Sequence, residues 1–137
     1  MRVAIVYDSR TGTTRAAAED MARLARDRGH ECDVVPIASA DAEELSKADA
    51  VCVGSWTEGL FFILQHATKP TMAFIDRLSL KSTPAAVFCT YKTSPGKMLD
   101  KMADRLMASG GTVTARLRSR GRTAPDGFGR WLDGLGG

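Results

Sequence analysis

Residues 2–18, RVAIVYDSRTGTTRAAA, decide how the rest of the sequence is interpreted. The apolar run at residues 3–7 is rich in β-branched side chains and too short for a typical helix, which predicts a buried strand. Residues 9–14 are small, hydroxyl-bearing or charged, and residues 15–28 form an alanine-rich segment with good helix propensity. The stretch therefore predicts a strand, a hydroxyl-rich loop and a helix in succession.

A loop of this kind at the start of a helix can bind an anion. Its backbone N–H groups can converge on one point, and the first helical turn adds unpaired donors and the positive end of the helix dipole. The hydroxyls of Ser9, Thr11, Thr13 and Thr14 surround Gly12 and can also donate. Because neither G-x-x-x-x-G-K-[ST] nor G-x-G-x-x-G is present, we expect the loop to hold a phosphate monoester. The alternative is that Thr13 or Thr14 only caps the helix.

The run at residues 5–14, IVYDSRTGTT, resembles the phosphate loop of the flavodoxin family, which combines an apolar strand, an aromatic residue and S-x-T-G-x-T. In that family the loop binds the 5′-phosphate of FMN. The resemblance implies the same role for Ser9, Arg10, Thr11, Gly12, Thr13 and Thr14.

The rest of the chain alternates strand-like and helix-like segments. Strands are predicted at residues 31–37, 50–54, 83–90 and 112–117, helices at 71–78 and 97–109, a short crossover near 43–45, and loops at 55–70 and 91–96. Pro36 predicts an edge position for the second strand. The alternation predicts an α/β fold with a parallel sheet between helices. The resemblance implies a flavodoxin-like, three-layer, doubly wound five-stranded sheet of order 2-1-3-4-5.

Two apolar sets predict packing against this sheet. Met98, Met102, Leu106 and Met107 lie near one face of the helix at residues 97–109, where we expect them to fill the core. The tail at residues 118–137 carries a second set that predicts a short docked helix, namely Phe128, Trp131, Leu132 and Leu135. We expect residues 1–137 to form one domain that includes this tail.

Composition bounds the remaining possibilities. The 137 residues have ordinary globular content, 44% hydrophobic and 26% charged. No apolar run approaches membrane-spanning length and the start lacks a signal-peptide layout, so we expect a cytoplasmic protein without a membrane partner. Cys32, Cys52 and Cys89 show no metal-binding spacing, and we interpret them as reduced, packed thiols.

Two further loops should meet the phosphate loop, because ligands of parallel sheets bind at the carboxyl ends of strands near the reversal of strand order. A planar heteroaromatic ring needs apolar faces and polar groups along its edge, and Trp56 and Tyr91 could supply the faces. The resemblance implies flavin contacts at Ser55, Trp56, Thr57, Glu58, Gly59, Thr90, Tyr91, Lys92 and Gly96. Whether Trp56, Phe61 or Phe62 stacks on the ring stays open.

The resemblance covers nearly the whole chain and implies an electron-transfer protein that carries one or two electrons on non-covalently bound FMN and meets redox partner proteins. Its loops also resemble flavin-binding domains fused to larger oxidoreductases. No side chain would need to act as acid, base or nucleophile. An electron carrier is expected rather than a stand-alone NAD(P)H-dependent oxidoreductase, because no residues are assigned to the nicotinamide site that such an enzyme needs. The alternatives are a flavin-free binding or regulatory module and an NAD(P)H-dependent flavin or quinone reductase. A phosphoacceptor receiver is disfavoured because Asp8 lacks an acidic neighbour.

Charge separates this chain from the electron-carrier flavodoxins, which are usually strongly acidic. Its net charge is +3 and its pI about 8.9, an excess too small to indicate nucleic acid by itself. The alternating Arg116, Arg118, Arg120 and Arg122 predict a solvated or partner-facing edge. Near the presumed site, Asp8 and Glu58 face more numerous cations: Arg10, Arg15, Lys92 and Lys97. Because cations favour an anionic reduced flavin, we predict a less negative potential than in acidic flavodoxins.

Overall fold

Five parallel strands form the centre of the structure, a computed structural model that describes residues 1–60, 63–91 and 96–135. They are β1 (Arg2–Asp8), β2 (Glu31–Pro36), β3 (Ala50–Trp56), β6 (Thr83–Thr90) and β7 (Gly111–Ser119). Their order across the sheet is β2-β1-β3-β6-β7, which is 2-1-3-4-5 when these strands are counted along the chain. The predicted α/β class and strand order are confirmed, and β2 lies at an edge as Pro36 indicated.

Helices cover both faces of this sheet. They are α1 (Thr13–Asp27), α2 (Ala42–Leu45), α3 (Lys69–Arg77), α4 (Met98–Ala108) and α5 (Phe128–Asp133), with a 3-10 turn at Ile37–Ser39. Side chains of a strand alternate between the two faces. Val3 and Ile5 pack with the layer of α1 and α5, and Ala4 and Val6 pack with the layer of α3 and α4. All four are fully buried, so the sheet has a core on each side.

The α1–α5 layer is built around small side chains and one aromatic pair. Helix α1 turns a stripe of buried residues toward the sheet, and these are Ala17, Ala18, Met21, Ala22 and Ala25. Their small volume lets the helix lie close to the strands. In α5 the rings of Phe128 and Trp131 stack with centroids 5.9 Å apart, and Trp131 Nε1 donates to Thr114 Oγ1 at 2.8 Å. The C-terminal helix is thereby fixed to β7.

A β-hairpin occupies part of the segment predicted as loop at residues 55–70. Strands β4 (Glu58–Leu60) and β5 (Ile63–His66) pair in antiparallel fashion, with Glu58 opposite His66 and Leu60 opposite Ile63. Ser55 and Trp56, also expected in that loop, are the last residues of β3. The prediction failed here because runs of three or four residues are too short to show strand periodicity, and hairpin pairing satisfies the backbone instead.

One residue of the predicted methionine face lies elsewhere. Met98, Met102 and Leu106 of α4 are fully buried, whereas Met107 is 43% exposed. The three buried residues follow the i, i+4, i+8 spacing of one helical stripe, and residue 107 is rotated about 100° from its neighbour. Core filling is confirmed for the first three residues and is wrong for Met107.

Asp20 of α1 connects this helix to the turn that precedes α5. Its Oδ2 accepts a hydrogen bond from Ala124 N at 2.7 Å, and Arg23 bonds to its other oxygen. These two contacts lower the pKa of the Asp20 carboxyl below its ordinary value. Because the folded-state pKa is depressed, this stabilisation is present above the ordinary aspartate pKa and is lost as the pH falls through the folded value.

Asp20→Asn is therefore expected to lower the free energy of unfolding by about 1 kcal/mol at pH 7, because a charge-assisted bond becomes a neutral one. Urea unfolding of both proteins at pH 7 and pH 3 measures the effect. The difference between them should shrink at pH 3. Asp104→Asn, at an exposed position of α4 without a side-chain bond among the described residues, is the control and should change stability little at either pH. A pH-independent loss for Asp20→Asn would contradict the argument.

Candidate functional site

The carboxyl ends of β1, β3 and β6 lie side by side at the end of the sheet where these strands finish. In the strand register Asp8 is opposite Ser55, and Trp56 is opposite Thr90. Strand β2, which follows β1 in sequence, lies on one side of β1 in the sheet, and β3 lies on its other side. The direction in which strands are added to the sheet therefore reverses next to β1. This is the place where open parallel sheets bind their ligands.

The loop between β1 and α1 folds its backbone donors inward. Gly12 N and Arg15 N both donate to Ser9 Oγ, at 3.1 and 3.2 Å. Gly12 has φ of 91°, a left-handed conformation that a residue with a Cβ adopts only at a cost. Two N–H groups therefore converge on one hydroxyl, and the hydrogen of that hydroxyl can still be donated outward.

The first turn of α1 is open to an anion. Its N-cap residue is Gly12, which has no capping side chain, Ser9 Oγ accepts only the N–H of Arg15 in this turn, and the turn contains no acidic residue. Helix α1 has 15 residues, so its dipole and unpaired N–H groups favour a negative charge at this end. The Thr11 and Thr13 hydroxyls lie 3.5 Å apart beside it. This donor set, without a neighbouring carboxylate on the helix, fits a phosphate group.

Two of the predicted site hydroxyls bond to each other. Thr14 Oγ1 lies 2.6 Å from Thr90 Oγ1, and both residues are buried. This bond joins the start of α1 to the end of β6. Hydroxyls that remain nearer the surface are those of Ser9, Thr11 and Thr13.

The side chains that follow β3 mainly support the backbone. Ser55 is fully buried, donates to Trp56 O at 2.8 Å and accepts from Thr68 N at 3.1 Å. Thr57 Oγ1 donates to Thr90 O at 2.8 Å and lies 3.1 Å from Met98 Sδ. Ser55 and Thr57 therefore hold the loops in place, while Glu58 and Gly59 begin the hairpin. Ser55 and Thr57 would therefore contact a ligand chiefly through their backbone.

A buried hydrogen-bond chain beneath these loops was missed in the sequence. Thr68 Oγ1 lies 2.5 Å from Asp8 Oδ2 and 2.7 Å from Thr71 Oγ1, and it accepts from Thr71 N as the cap of α3. The chain joins the end of β1 to the start of α3, just after the hairpin. The only sequence signal was Thr68 one residue before the Lys69-Pro70 start of a helix, which is a typical N-cap position.

Each of the two predicted ring-contacting aromatics carries an arginine over its ring. The Cζ of Arg10 is 5.4 Å from the Trp56 ring centroid, and the Cζ of Arg120 is 5.6 Å from that of Tyr91. Both distances lie within the range of a cation–π interaction. Trp56 and Tyr91 are half-buried. Arg120 was expected at a solvated or partner-facing edge, and its contact with the Tyr91 ring was not predicted.

Other predicted site residues are only partly located. Gly96 is exposed in the turn before α4. Lys92, Phe61 and Phe62 lie outside the described residues. The structure therefore brings the carboxyl ends of β1, β3 and β6 together, and the aromatic that would stack on a ring stays open.

The three cysteines are buried free thiols. Burial raises the pKa of Cys32 to about 11 and that of Cys89 to about 12, and it raises the pKa of Cys52 well above its ordinary value. Cys89 lies in β6, one residue before Thr90.

Among the described residues no cluster of histidine, cysteine and carboxylate side chains could hold a metal ion. None of the described helices is long and apolar enough to cross a bilayer.

Comparison with known proteins identifies the family to which this fold belongs. The profile of the family described as Flavodoxin matches residues 5–128. The chain belongs to the flavodoxin family.

Solved structures agree on the fold. A flavodoxin from Megasphaera elsdenii, solved in its two-electron reduced state, has a TM-score of 0.79 and 22% identity over 95% of this chain and 94% of its own. A Streptococcus pneumoniae flavodoxin has a TM-score of 0.78 and 20% identity over 98% and 97% of the two chains. Rubredoxin oxygen:oxidoreductase of Desulfovibrio gigas has a TM-score of 0.73 and 21% identity, with 98% of this chain matching 34% of that chain. The same fold thus occurs as a whole protein and within a longer one.

Proposed function

We propose that this chain binds FMN non-covalently and transfers electrons, one or two at a time, between redox partner proteins. The observation that carries the proposal is the loop from Ser9 to Thr14. Two backbone N–H groups converge on its Ser9 Oγ, its N-cap residue Gly12 has no capping side chain, and no acidic residue occupies the first helical turn. A helix start with this dipole and with unpaired N–H groups favours a phosphate group over a neutral ligand.

The proposed roles of the residues follow from their positions. Ser9, Thr11 and Thr13 would donate to the phosphate, with backbone N–H groups of residues 10, 11, 13 and 14, since the N–H of Gly12 already bonds to Ser9. Thr14, Thr90, Ser55 and Thr57 would keep the loops in register through their buried or partly buried hydrogen bonds. Trp56 and Tyr91 would bound the ring, and contacts at Glu58, Gly59, Lys92 and Gly96 stay predictions. The bound FMN would supply the redox chemistry, and the protein would orient it and tune its potential.

An electron carrier is favoured over a stand-alone NAD(P)H-dependent enzyme because such an enzyme also needs a nicotinamide site, to which no described residue is assigned. One family and fold can nevertheless serve several chemistries. Rapid reduction of the loaded protein by NAD(P)H alone would favour the reductase. A cytoplasmic location and a single-domain organisation stay predictions.

The test is a visible absorption spectrum of the purified protein, followed by titration of the flavin-free form with FMN, riboflavin and FAD. We expect tight FMN binding and much weaker riboflavin binding, since riboflavin lacks the phosphate. Equal affinity for FMN and riboflavin would refute the phosphate site. Failure to bind any flavin would leave the fold and overturn the function in favour of a flavin-free module.

Charge near the aromatic residues gives a prediction for the potential. Arg10 and Arg120 lie over the two rings, whereas Arg15 pairs with Glu19 at 3.0 Å and contributes less net charge than sequence counting suggested. Arg10→Gln with Arg120→Gln should lower the potential of the second one-electron step by some tens of millivolts, because a nearby cation stabilises added negative charge. Spectroelectrochemical titration measures it. Lys81→Gln, far from the site, should leave the potential unchanged, and an equal shift in both proteins would contradict the argument.

A further inference from the structure

A group of basic residues borders the candidate site, on the side of β7. This basic rim comprises Arg10, Lys97, Arg118, Arg120 and Arg122, all of them exposed. They come from different elements but surround one place. Arg10 lies over Trp56, which is opposite Thr90 in the sheet, and Thr90 is opposite Ser119. Tyr91 N donates to Ser119 O at 3.1 Å, and Arg120 lies over Tyr91.

The remaining members of the rim are held at the same place. Lys97 precedes Met98, whose Sδ lies 3.1 Å from Thr57 Oγ1. The turn that contains Arg122 is closed by Ser119, whose hydroxyl bonds to Gly121 and to Thr123 O at 2.9 Å. Arg118 is opposite Cys89 in the sheet register. The backbone of these rim residues is thus held near the same place.

Charges in the rim are not compensated within the part of the chain that is described. Ion pairs engage many of the other basic residues, namely Arg2, Arg15, Arg23, Arg28, Lys47, Arg105 and Arg116. No member of the rim forms an ion pair with a described residue. Of the nearby carboxylates that are described, Asp8 keeps its charge in its bond with Thr68, whereas Asp100 pairs with Arg116 at 3.1 Å, so the five rim cations outnumber them. Positive potential therefore extends from this edge toward solvent.

A simpler explanation accounts for only part of the rim. Charged side chains on an edge strand prevent pairing with another sheet, and β7 is an edge strand. Of the rim, this explains Arg118, which belongs to the strand itself. Arg10, Lys97 and Arg122 lie on other elements, where no strand edge needs protection. Their position around the candidate ring site points to a ligand that approaches that site.

We propose that the basic rim is a docking surface for an electron-transfer protein with an acidic face. This inference rests on the proposed function, because a redox partner must approach the ring contacts at Trp56 and Tyr91, which the rim borders. A nucleic acid fits less well. The net charge of the chain is only +3, and the rim has no basic run along a helix or groove. Charge at the edge of an interface mainly raises the rate of association and fixes the orientation of the partner.

The test compares two haem proteins of similar size and opposite charge, the acidic cytochrome b5 and the basic cytochrome c. Binding to the full chain is measured by NMR titration with and without FMN, at low and high salt. We expect cytochrome b5 to bind, more weakly as salt rises, and cytochrome c to bind at least tenfold more weakly. Tighter binding of cytochrome c, or tighter binding of a single-stranded oligonucleotide than of cytochrome b5, would overturn the proposal.

Charge-reversal variants locate the surface. Arg118→Glu with Arg122→Glu should reduce cytochrome b5 affinity about tenfold or more and leave FMN affinity unchanged, because neither residue contacts the predicted ring site. Arg77→Glu with Lys81→Glu makes the same charge change at exposed positions just before β6, at the amino-terminal end of that strand and away from the rim. It should alter affinity less than twofold. Equal effects of the two double variants would overturn the docking surface.

The two proposals fail in different ways. A chain that binds FMN but binds cytochrome b5 independently of the rim refutes the docking surface and leaves the function intact. A chain that binds no flavin but still binds cytochrome b5 through the rim refutes the electron-carrier function and supports the acidic-partner surface.

Discussion

Gly110→Ala is expected to destabilise the protein by about 3–5 kcal/mol, a large part of a typical folding free energy of roughly 5–15 kcal/mol. Gly110 follows α4 with φ of 98°, and a Cβ built there would lie 1.9 Å from Leu80 O. The left-handed conformation alone costs alanine about 1–2 kcal/mol. The clash is with backbone, so relief requires the 80–82 segment to move. That movement would break the bonds from Leu80 N to Ser109 O and from Ser82 N to Gly110 O.

Gly29→Ala is the matched control, because Gly29 follows α1 in the same way. Its φ is 87°, and a Cβ there would have no atom within 4 Å. The control should show the conformational cost alone, about 1–2 kcal/mol. Thermal unfolding separates the two variants, since 1 kcal/mol shifts the Tm of a chain this size by about 3–5 °C. Equal losses in the two variants would show that the contact with Leu80 is unimportant.

Thr13→Asp is expected to weaken FMN binding by about 100-fold or more while stabilising the flavin-free protein. Thr13 is the first residue of α1, where a carboxylate interacts favourably with the helix dipole, by about 0.3–1 kcal/mol. The same carboxylate would repel a phosphate bound at this helix end, and repulsion at about 5 Å is worth roughly 3 kcal/mol at an effective dielectric constant near 20. Folding stability and ligand affinity should therefore change in opposite directions.

Three measurements check this prediction: the Tm of the flavin-free protein, and its affinities for FMN and for riboflavin. Riboflavin affinity should change less than about threefold, because riboflavin carries no phosphate. Thr112→Asp, at an exposed position near the start of β7, is the control and should leave both affinities unchanged. If FMN affinity survives in Thr13→Asp, the phosphate does not bind at this helix end, and equal losses for FMN and riboflavin would indicate a damaged ring site.

Local patterns were sufficient to predict most of the fold. The apolar run that became β1 and the alanine-rich α1 each contain their own signal, and strand–helix alternation fixed the parallel sheet. The hairpin of β4 and β5 was not predicted, because its strands are shorter than the window over which alternation can be recognised. Met107 was wrongly assigned to the core because it is apolar and adjacent to Leu106 in sequence. Adjacent residues of a helix point in different directions, and of these two only Leu106 lies on the buried stripe.

Long-range partners in the candidate site could not be predicted. Thr14 and Thr90 are 76 residues apart in sequence and bond to each other, so the number of hydroxyls available to a phosphate was overestimated. The bond between Thr68 and Asp8 joins residues 60 apart. The position of Arg120 over the Tyr91 ring likewise depends on the pairing of β7 with β6. Motifs gave the position of the loop, whereas the partner of each side chain required the register of the sheet.

The buried cysteines affect how the protein can be handled and measured. Only thiolates react readily with oxidants and alkylating reagents. With a pKa of about 11, roughly one in ten thousand Cys32 side chains is ionised at pH 7, and the other two thiols are ionised even less. The purified protein should therefore keep its sulfhydryls through storage in air without added reductant. In a coulometric titration, the electrons counted would then measure the reduction of the proposed FMN, because oxidation of cysteines to cystine would add no background.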